Sequence, residues 1–310
     1  MAIFPFTKSW LPLLLLLSLP FLYLCLLYPK KKAGNRPKLP PSPPRLPVIG
    51  NLYQLGKLPH QSLRQLSQKY GPVMLLQLGN SPTLVISSAD MAKEVLKTHD
   101  VDFCSRPPSP GAKRLTYNFS DMAFTPYSDH WREMRRIFVT GLLNPRRAQS
   151  FRQAREVEMN NMINSLLLAS PSPVDLDEQI YSFMDGFLGT ATLGKSYRRK
   201  QFKGQNLKDV VEEAMRMMDG FSAEDFFPWI GKMVDTLTGQ RARLEKCFSN
   251  LDGYFRMMLE EHLHHERPKA EYEDFVDVLV RLSKDETGPF RLTNDRMKGI
   301  LLRLPSLYFF

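Results

Sequence analysis

The residues with the clearest potential for chemistry form one short cluster, Trp131-Arg-Glu-Met-Arg135-Arg136. If this stretch is helical, Trp131 and Arg135 are four residues apart and share one face. An indole N–H and a guanidinium on one face offer only hydrogen-bond donors, which suits a carboxylate or a phosphate. The alternative is a surface helix with one buried tryptophan and solvated arginines, because clustered charges on helices are usually solvated. The cluster alone leaves both interpretations open.

Other residues that could do chemistry form no recognisable constellation. His262, His264 and His265 lie close together, but no carboxylate or cysteine pattern accompanies them, so we predict no metal site there. The sequence also has no phosphate-binding loop and no Ser-His-Asp arrangement. We therefore predict no catalytic residue within these 310 residues.

The composition is that of a globular protein, with 43% hydrophobic and 24% charged residues. The formal charge is +10, but six of the basic residues lie between residues 30 and 45. There is no basic stripe with interleaved aromatic residues, so we expect no nucleic-acid partner. The three widely spaced cysteines give no disulfide framework.

An uncharged run from Ser9 to Pro29 precedes the basic segment, and residues 11–27 within it are almost entirely apolar. About 20 such residues cross a bilayer as a helix. A cleaved signal peptide is the alternative, but the positive charge follows the apolar run and no small-x-small cleavage site comes after it. We predict a retained anchor whose basic flank keeps the body of the protein in the cytosol.

The chain changes character twice after the anchor. Residues 36–47 contain six prolines in twelve positions, which favours a stiff polyproline-like hinge. Beyond it the patterns predict a helix over 60–70, a hairpin over 73–87, a helix over 88–98, an irregular connection over 99–127, and helices over 129–140, 144–168, 175–192, 206–219, 237–266, 273–284 and from 293 onward. The predicted body is mainly α with a small N-terminal β-sheet.

Several motifs in fixed order carry a resemblance to a known family. They are Pro40-Pro-Ser-Pro-Pro-Arg-Leu-Pro-Val-Ile-Gly-Asn51, Phe103-Cys-Ser-Arg-Pro107 and Phe124-Thr-Pro-Tyr-Ser-Asp-His-Trp-Arg-Glu-Met-Arg-Arg136, behind an apolar anchor and a basic stop. In this order they resemble the N-terminal part of a plant microsomal cytochrome P450 of the A-type group. The resemblance implies a truncated cytochrome P450 fold preceded by a single membrane-anchor helix. It divides the chain into an anchor (1–29), a basic and proline-rich hinge (30–50), part of the haem-thiolate monooxygenase domain (51–302) and a divergent tail (303–310).

The resemblance also assigns roles near the opening cluster. Trp131 and Arg135 match a Trp-x-x-x-Arg motif whose side chains donate to a haem propionate. Arg106 matches an arginine that reaches the same propionates. Residues 108–120 match a loop that lies over the haem and contacts substrate, and residues 205–222 match part of its roof.

Further residues are assigned to the substrate and to a partner protein. Leu115, Phe119 and Met122, in or next to the loop, are the predicted substrate contacts. Arg132 and Arg136 are predicted to face an NADPH-dependent flavin reductase. The implied substrate is a small apolar plant secondary metabolite. The implied location is the endoplasmic reticulum membrane, with a single pass and the body facing the cytosol.

The sequence departs from the family at the iron ligand. The family binds haem iron through a cysteine thiolate in Phe-x-x-Gly-x-Arg-x-Cys-x-Gly, and none of Cys25, Cys104 and Cys247 has those neighbours. We predict that each of these cysteines is a small buried apolar residue. The family's Ala/Gly-Gly-x-Asp/Glu-Thr motif is also missing after Leu302, where Pro305 is expected to break the helix.

Two functional hypotheses follow. In the first, the family activity is that of a haem-thiolate monooxygenase, and these residues are its front portion, inactive alone. In the second, the chain is a non-catalytic, truncated, membrane-anchored protein that arises from a frameshift or a retained intron. A helical scaffold unrelated to haem would leave the ordered motifs unexplained.

Overall fold

The computed structural model describes residue 18 and residues 39–194, 204, 207–263, 273–284 and 291–306. The predicted membrane anchor, apart from Ser18, lies outside these residues. None of the helices they form is long and apolar enough to span a membrane. The chain divides into two compact units, Met1–Thr98 and His99–Phe310.

The proline-rich segment of the first unit is joined to the sheet by one buried side chain, that of Asn51. Its amide N–H donates to the Pro44 carbonyl (3.1 Å), and its oxygen accepts from the Gln77 backbone N–H (2.8 Å). The preceding Gly50 has φ +62°, and a Cβ there would lie 2.0 Å from the Gln77 carbonyl oxygen. Only glycine fits this close approach.

One helix and one hairpin follow in this unit. Helix α1 (Pro59–Tyr70) begins with proline in its first turn and ends before Gly71, which has φ +105°. Strands β1 (Val73–Leu78) and β2 (Ser81–Ile86) pair antiparallel, and every second residue of β1 is buried. This alternation places one face of the hairpin against the interior. The predicted hairpin is confirmed.

Helix α2 (Ala89–Lys93) closes the first unit. The Ser88 hydroxyl caps it by accepting a hydrogen bond from the Met91 N–H (3.4 Å). A π-helical turn, Glu94–Thr98, extends the helix to the predicted end. The sequence prediction of a helix over 88–98 is therefore confirmed, with a wider last turn.

The second unit begins with two short helices where an irregular connection was predicted. Helices α3 (Asp100–Phe103) and α4 (Pro110–Leu115) interrupt residues 99–127, so that prediction is partly wrong. The Ser109 hydroxyl accepts from the Ala112 N–H (3.0 Å), and Pro110 opens α4. This serine–proline start signal accounts for the helix.

Most of the rest of the described second unit is helical, as predicted, but the helices over 223–226 and 230–237 were not predicted. Helix α5 (Asp129–Arg136) contains the opening cluster and continues as a π-helical turn, Ile137–Leu142. The later helices are α6 (Pro145–Ser150), α7 (Arg152–Ala169), α8 (Leu176–Leu193), α9 (Leu207–Asp219), α10 (Ala223–Phe226), α11 (Ile230–Leu237), α12 (Gln240–Leu263), α13 (Phe275–Ser283) and α14 (Asn294–Ser306).

Three helix boundaries differ from the predictions. The helix predicted over 144–168 is divided at Phe151, which separates α6 from α7. The helix predicted over 237–266 begins only at Gln240, after Gly239 with φ +76° has ended the preceding turn. Pro305 does not break α14 where expected, because α14 continues to Ser306. A proline in the last turn removes a single helical hydrogen bond, which a helix end tolerates.

The hydrophobic core of the second unit is built around α12. Its fully buried residues are Leu251, Tyr254, Phe255 and Met258, which belong to one cluster with Met134, Val276, Leu279 and Ile300. Met134 is the contribution of α5 to this cluster and has no exposed surface. The core therefore fixes the orientation of α5 and, with it, the directions of Trp131 and Arg135.

Candidate anion-binding site

Helix α5 starts at a well-defined cap. The Ser128 hydroxyl accepts a hydrogen bond from the Trp131 backbone N–H (3.3 Å), and Ser128 itself has extended backbone. Such a cap satisfies one of the free N–H groups of the first turn. Trp131 thus lies between the cap and the buried Met134, which anchors the same helix one turn later.

The Trp131 side chain is half-buried and connects α5 to the loop before it. Its indole N–H donates to the Met122 carbonyl (3.0 Å), and its ring lies 5.6 Å from the Tyr127 ring. The Arg135 guanidinium lies over the indole, 5.3 Å from the ring centroid. The structure therefore confirms that Trp131 and Arg135 share one face, but the indole donor already has a partner.

Arg135 and Arg106 are two cations of this site with unfilled donor capacity. Both side chains are exposed, and neither forms an ion pair with any residue that the structure describes. Arg106 lies over the Phe124 ring at 5.5 Å. The Ser105 hydroxyl accepts from the Tyr127 N–H (3.4 Å), which joins the Arg106 segment to the loop beneath Trp131. One loop thus supports both guanidinium groups.

Arg132 and Arg136 differ from Arg135 because each already has a carboxylate. Arg132 donates to Asp129 (2.7 Å), and Arg136 donates to Glu133 (2.9 Å), both within one turn of α5. Burial lowers the pKa of the neighbouring His130, and Arg296 lowers it further, so the positive charge of this helix comes from arginines. Exposed pairs of this kind contribute only about 0–1 kcal/mol and exchange partners readily.

The predicted substrate residues occupy different environments. Leu115, at the end of α4, is completely buried in the core. Phe119 and Met122 are half-buried, and the Met122 carbonyl is the group that holds the Trp131 indole. Of the three, Phe119 and Met122 are therefore in positions where a bound molecule could reach their side chains.

A cluster that the sequence did not predict lies beside this loop. The Tyr117 hydroxyl donates to the Asp252 carboxylate (3.1 Å), and the Lys298 ammonium donates to the same oxygen (2.6 Å). Arg256 donates to the other Asp252 oxygen (2.7 Å). Burial, opposed by these hydrogen bonds, leaves the pKa of Asp252 below its ordinary value, so the carboxylate is ionised. The signal that could have indicated this cluster is Lys298, a charged residue that follows Met297 on the buried face of α14.

A cavity of about 670 Å³ opens next to this cluster. Tyr117, Asp252 and Lys298 line it together with Arg114 and Glu245, which form a bidentate ion pair at 2.8 to 3.0 Å. Its walls carry charges of both signs. Such a cavity does not match the apolar lining that a small apolar molecule requires.

The histidine and cysteine predictions need two corrections. His262 is accompanied by carboxylates: its Nε2 lies 3.0 Å from Asp274, its Nδ1 lies 2.7 Å from the Met258 carbonyl, and Asp277 is nearby. Asp274 and Asp277 also cap the backbone of α13, so the group joins α12 to α13. Cys104 is exposed rather than buried, because α3 is a single turn that covers little surface.

Of the remaining cysteines and histidines for which we made a prediction, one lies within the described residues and three lie outside them. Cys247 is buried as predicted, and burial raises its pKa to about 11. Cys25, His264 and His265 lie outside the described part of the chain.

Comparisons with known proteins agree with this arrangement. The sequence model of the cytochrome P450 family matches residues 40–304. The chain is 47% identical over 300 residues to the 2-methylbutanal oxime monooxygenase of Manihot esculenta, covering 96% of this chain and 58% of that protein. It is 46% identical over 276 residues to the 4-hydroxyphenylacetaldehyde oxime monooxygenase of Sorghum bicolor, covering 87% of this chain and 52% of that protein.

Solved structures give the same fold. A zebrafish cytochrome P450 structure with progesterone superposes with a TM-score of 0.61 at 22% identity, covering 80% of this chain and 55% of that one. The chain thus spans little more than half the length of the proteins it matches. The family model, the plant relatives and the fold lead to one conclusion: the chain belongs to the cytochrome P450 family, among its plant A-type members.

Proposed function

We propose that this chain provides the propionate-binding and substrate-loop portion of a haem-dependent monooxygenase that oxidises small plant metabolites with O2 and reductase-supplied electrons. The observation that carries the proposal is Arg135, an exposed guanidinium on the Trp131 ring with no carboxylate partner among the described residues. The family's cofactor is haem, whose propionates are anions of the kind this group can bind.

The residues present fit that cofactor in a specific way. Arg135 and Arg106 each offer a fork of N–H donors that matches a carboxylate. Trp131 gives Arg135 a ring to lie on and donates its own N–H to Met122, so it positions the arginine and the loop. Bound haem would supply the activation of O2. None of the three cysteines has the neighbours of the family's iron-ligand loop, so we assign no iron ligand within these residues.

Aldoximes are the substrate class that we propose to test first. The names of the Manihot and Sorghum relatives specify an aliphatic and an aromatic aldoxime, each on a protein about as similar to this chain. A loop that accepts both an aliphatic and an aromatic aldoxime needs apolar, non-specific contacts. Phe119 and Met122 offer such surfaces, whereas the charged cavity beside Tyr117 does not.

The partner and the location are further parts of the proposal. Arg132 and Arg136 would meet an acidic, NADPH-dependent flavin reductase by exchanging their intrahelical carboxylates for those of the partner. The endoplasmic reticulum membrane would hold the apolar run at residues 11–27. Helix α11 and the tryptophan before it support a membrane-associated location, because Trp229, Ile230, Met233 and Leu237 are 90%, 63%, 62% and 80% exposed.

A chimaera tests the proposal directly. Residues 1–302 would replace the matching part of the Manihot relative, and microsomes would be assayed with NADPH and 2-methylbutanal oxime. We expect a reduced carbon monoxide band of the haem-thiolate type and turnover of the oxime. A folded, membrane-bound chimaera with no band would contradict the haem role. A band without turnover of either aldoxime would reject only the substrate class.

The chain of 310 residues is the matched comparison. It contains no iron-ligand loop, so we expect no haem-thiolate band from it under the same conditions. A clear band from this polypeptide would show that one of its three cysteines ligates the iron outside the family's loop. The absence of both band and turnover from the chimaera as well would favour the non-catalytic alternative.

A further inference from the structure

The segment after α4 has a backbone that side chains rarely adopt. Tyr117, Asn118 and Phe119 have φ values of +53°, +61° and +60°, and none of them is glycine. Three consecutive left-handed residues are sterically unfavourable, most of all for the two aromatic residues. Such a conformation persists only where the surroundings enforce it. We call Tyr117–Phe119 the left-handed turn.

Local hydrogen bonds close this turn but do not explain its stability. The Asn118 N–H donates to the Lys113 carbonyl (2.8 Å), and the Ser120 N–H donates to the Thr116 carbonyl (2.8 Å). The Phe119 N–H donates to the Thr116 hydroxyl (3.2 Å). The bond to Lys113 joins the turn to α4 and is the kind that closes helix ends, which commonly use a single left-handed residue. A contact with the rest of the fold is therefore needed to hold three.

That contact is the side chain of Tyr117. Its hydroxyl donates to Asp252 on α12 (3.1 Å), which also accepts from Lys298 on α14 (2.6 Å). The Lys298 ammonium lies 5.5 Å from the Tyr117 ring centroid, and the Phe248 ring meets the same tyrosine edge-on at 5.4 Å. We call Tyr117, Asp252 and Lys298 the clamp. It joins the left-handed turn to two core helices.

The backbone that follows the turn also packs closely against α14. A Cβ added to Gly299 would lie 2.9 Å from the Ser120 carbonyl oxygen and 3.1 Å from the Asp121 nitrogen. Backbone atoms cannot move aside as a flexible side chain can, so glycine is required for this approach. Neighbouring residues of α14 therefore act together, since Lys298 holds the turn and Gly299 makes room for it.

We propose that Tyr117, Asp252 and Lys298 are positioning residues that enforce the left-handed turn and thereby set the placement of Phe119 and Met122 in the substrate loop. The clamp acts through the backbone between Tyr117 and Met122. Burial and the Asp252 carboxylate raise the pKa of Tyr117, which keeps its hydroxyl a donor. The part of the inference that concerns substrate rests on the proposed function.

Hydrogen exchange of the full 310-residue chain tests whether the clamp holds the left-handed turn. Tyr117→Phe removes only the hydroxyl that reaches Asp252, and Lys298→Met removes the second donor. We expect exchange at the Asn118, Phe119 and Ser120 amides to rise about tenfold in Tyr117→Phe, as the loss of one hydrogen bond to a charged group predicts. Amides in the middle of α12 should not change. Tyr53→Phe is the control, because it also removes a tyrosine hydroxyl that donates a hydrogen bond, in this case to the uncharged Pro44 carbonyl (3.0 Å).

The exchange rates of these amides can either overturn or support the role of the clamp. Unchanged exchange at the three amides in both clamp variants would overturn the inference. A rise in exchange throughout α12 and α14 would also overturn it, because the residues would then be general stabilisers. Restored protection in a Tyr117→Phe, Asn118→Gly variant would support it, because glycine adopts positive φ without the steric penalty.

The aldoxime assay of the chimaera tests the positioning part. In Tyr117→Phe we expect the carbon monoxide band to be unchanged, and KM for 2-methylbutanal oxime to rise about fivefold with little change in kcat. A changed exchange rate with an unchanged KM would reject a positioning role. If the unmutated chimaera lacked the band, the proposed function would fail, and the exchange measurement would still decide whether the clamp holds the turn.

Discussion

The α5 site and the Asp252 cluster use similar residues for opposite purposes. At α5, the Arg135 guanidinium is exposed, lies on an indole, and has no carboxylate among the described residues. At Asp252, one carboxylate accepts hydrogen bonds from Tyr117, Lys298 and Arg256. The first region retains unused donors in contact with solvent. In the second, a largely buried acceptor is surrounded by donors.

This difference indicates which charged cluster is a binding site. A cation that already has a buried counter-ion gains little from a ligand, because a new anion would displace an existing partner. A cation on an aromatic ring with free donors gains hydrogen bonds to a charged group when an anion arrives. Arg135 therefore fits a ligand-binding role, whereas Lys298 and Asp252 fit a structural one.

The largest effect is expected from breaking the Asp252 cluster. Asp252→Ala leaves Lys298, which is 8% exposed, next to a tyrosine with no counter-ion. Removing one member of a buried pair typically costs about 3 kcal/mol of unfolding free energy. Urea denaturation of the second unit should show this loss. Glu245→Ala, which removes an exposed partner of Arg114, is the control and should cost far less.

Replacing Arg135 should have the next largest effect, and on ligand binding rather than stability. In the chimaera, Arg135→Ala removes a charge-assisted contact of about 2 kcal/mol, or roughly thirtyfold in haem affinity. Haem transfer to a competing acceptor protein would measure the change. Arg135→Lys keeps the charge but loses the planar fork, so it should retain only part of the affinity. Equal haem loss in Arg135→Ala and wild type would exclude the propionate role.

Two glycines test the close packing of the Asp252 region. Gly299→Ala would place a methyl group 2.9 Å from backbone atoms of the loop, and such overpacking costs about 1–3 kcal/mol. Gly141→Ala would meet only the Leu282 and Val278 side chains at 3.7 and 4.0 Å, which are ordinary contacts. Thermal unfolding should therefore separate the two variants. Equal unfolding midpoints for the two variants would contradict the close packing of the loop against Gly299.

The helices and the hairpin could be predicted because their signals are local. Gly71-Pro72 after α1, asparagine before Pro145 and the short apolar run of β1 are all visible in a few neighbouring residues. The pairing of Trp131 with Arg135 also follows from helical spacing. In each case the information lies within one turn or one strand.

The Asp252 cluster could not be predicted because its parts come from distant segments. Tyr117, Asp252 and Lys298 are brought together only by the packing of three elements. The same holds for His262, whose carboxylate partner Asp274 comes from the start of α13. It also holds for the Met122 carbonyl, which accepts the hydrogen bond from the Trp131 indole N–H. Sequence spacing carries no information about such contacts.

A pH series should separate the two regions further. Hydrogen bonds from Lys298, Tyr117 and Arg256 outweigh burial and lower the pKa of Asp252. A lowered folded-state pKa gives stability that is present above the unfolded value of about 4 and is lost as pH falls through the folded value. The stability difference between wild type and Asp252→Asn should therefore shrink below about pH 4. The difference between wild type and Arg135→Ala should not change there, since Arg135 has no carboxylate partner within the described residues.

The smallest effect is expected at the other face of α5. Arg132→Ala and Arg136→Ala each break an exposed pair within one turn, so the unfolding free energy should change by less than about 0.5 kcal/mol. Haem affinity should also stay unchanged, because Arg135 remains. If these arginines meet an acidic reductase, the rate of electron delivery should fall and its dependence on ionic strength should weaken. Stopped-flow reduction of the chimaera over a salt series measures both quantities. A loss of haem equal to that of Arg135→Ala would show that the whole helix, rather than one face of it, binds the anion.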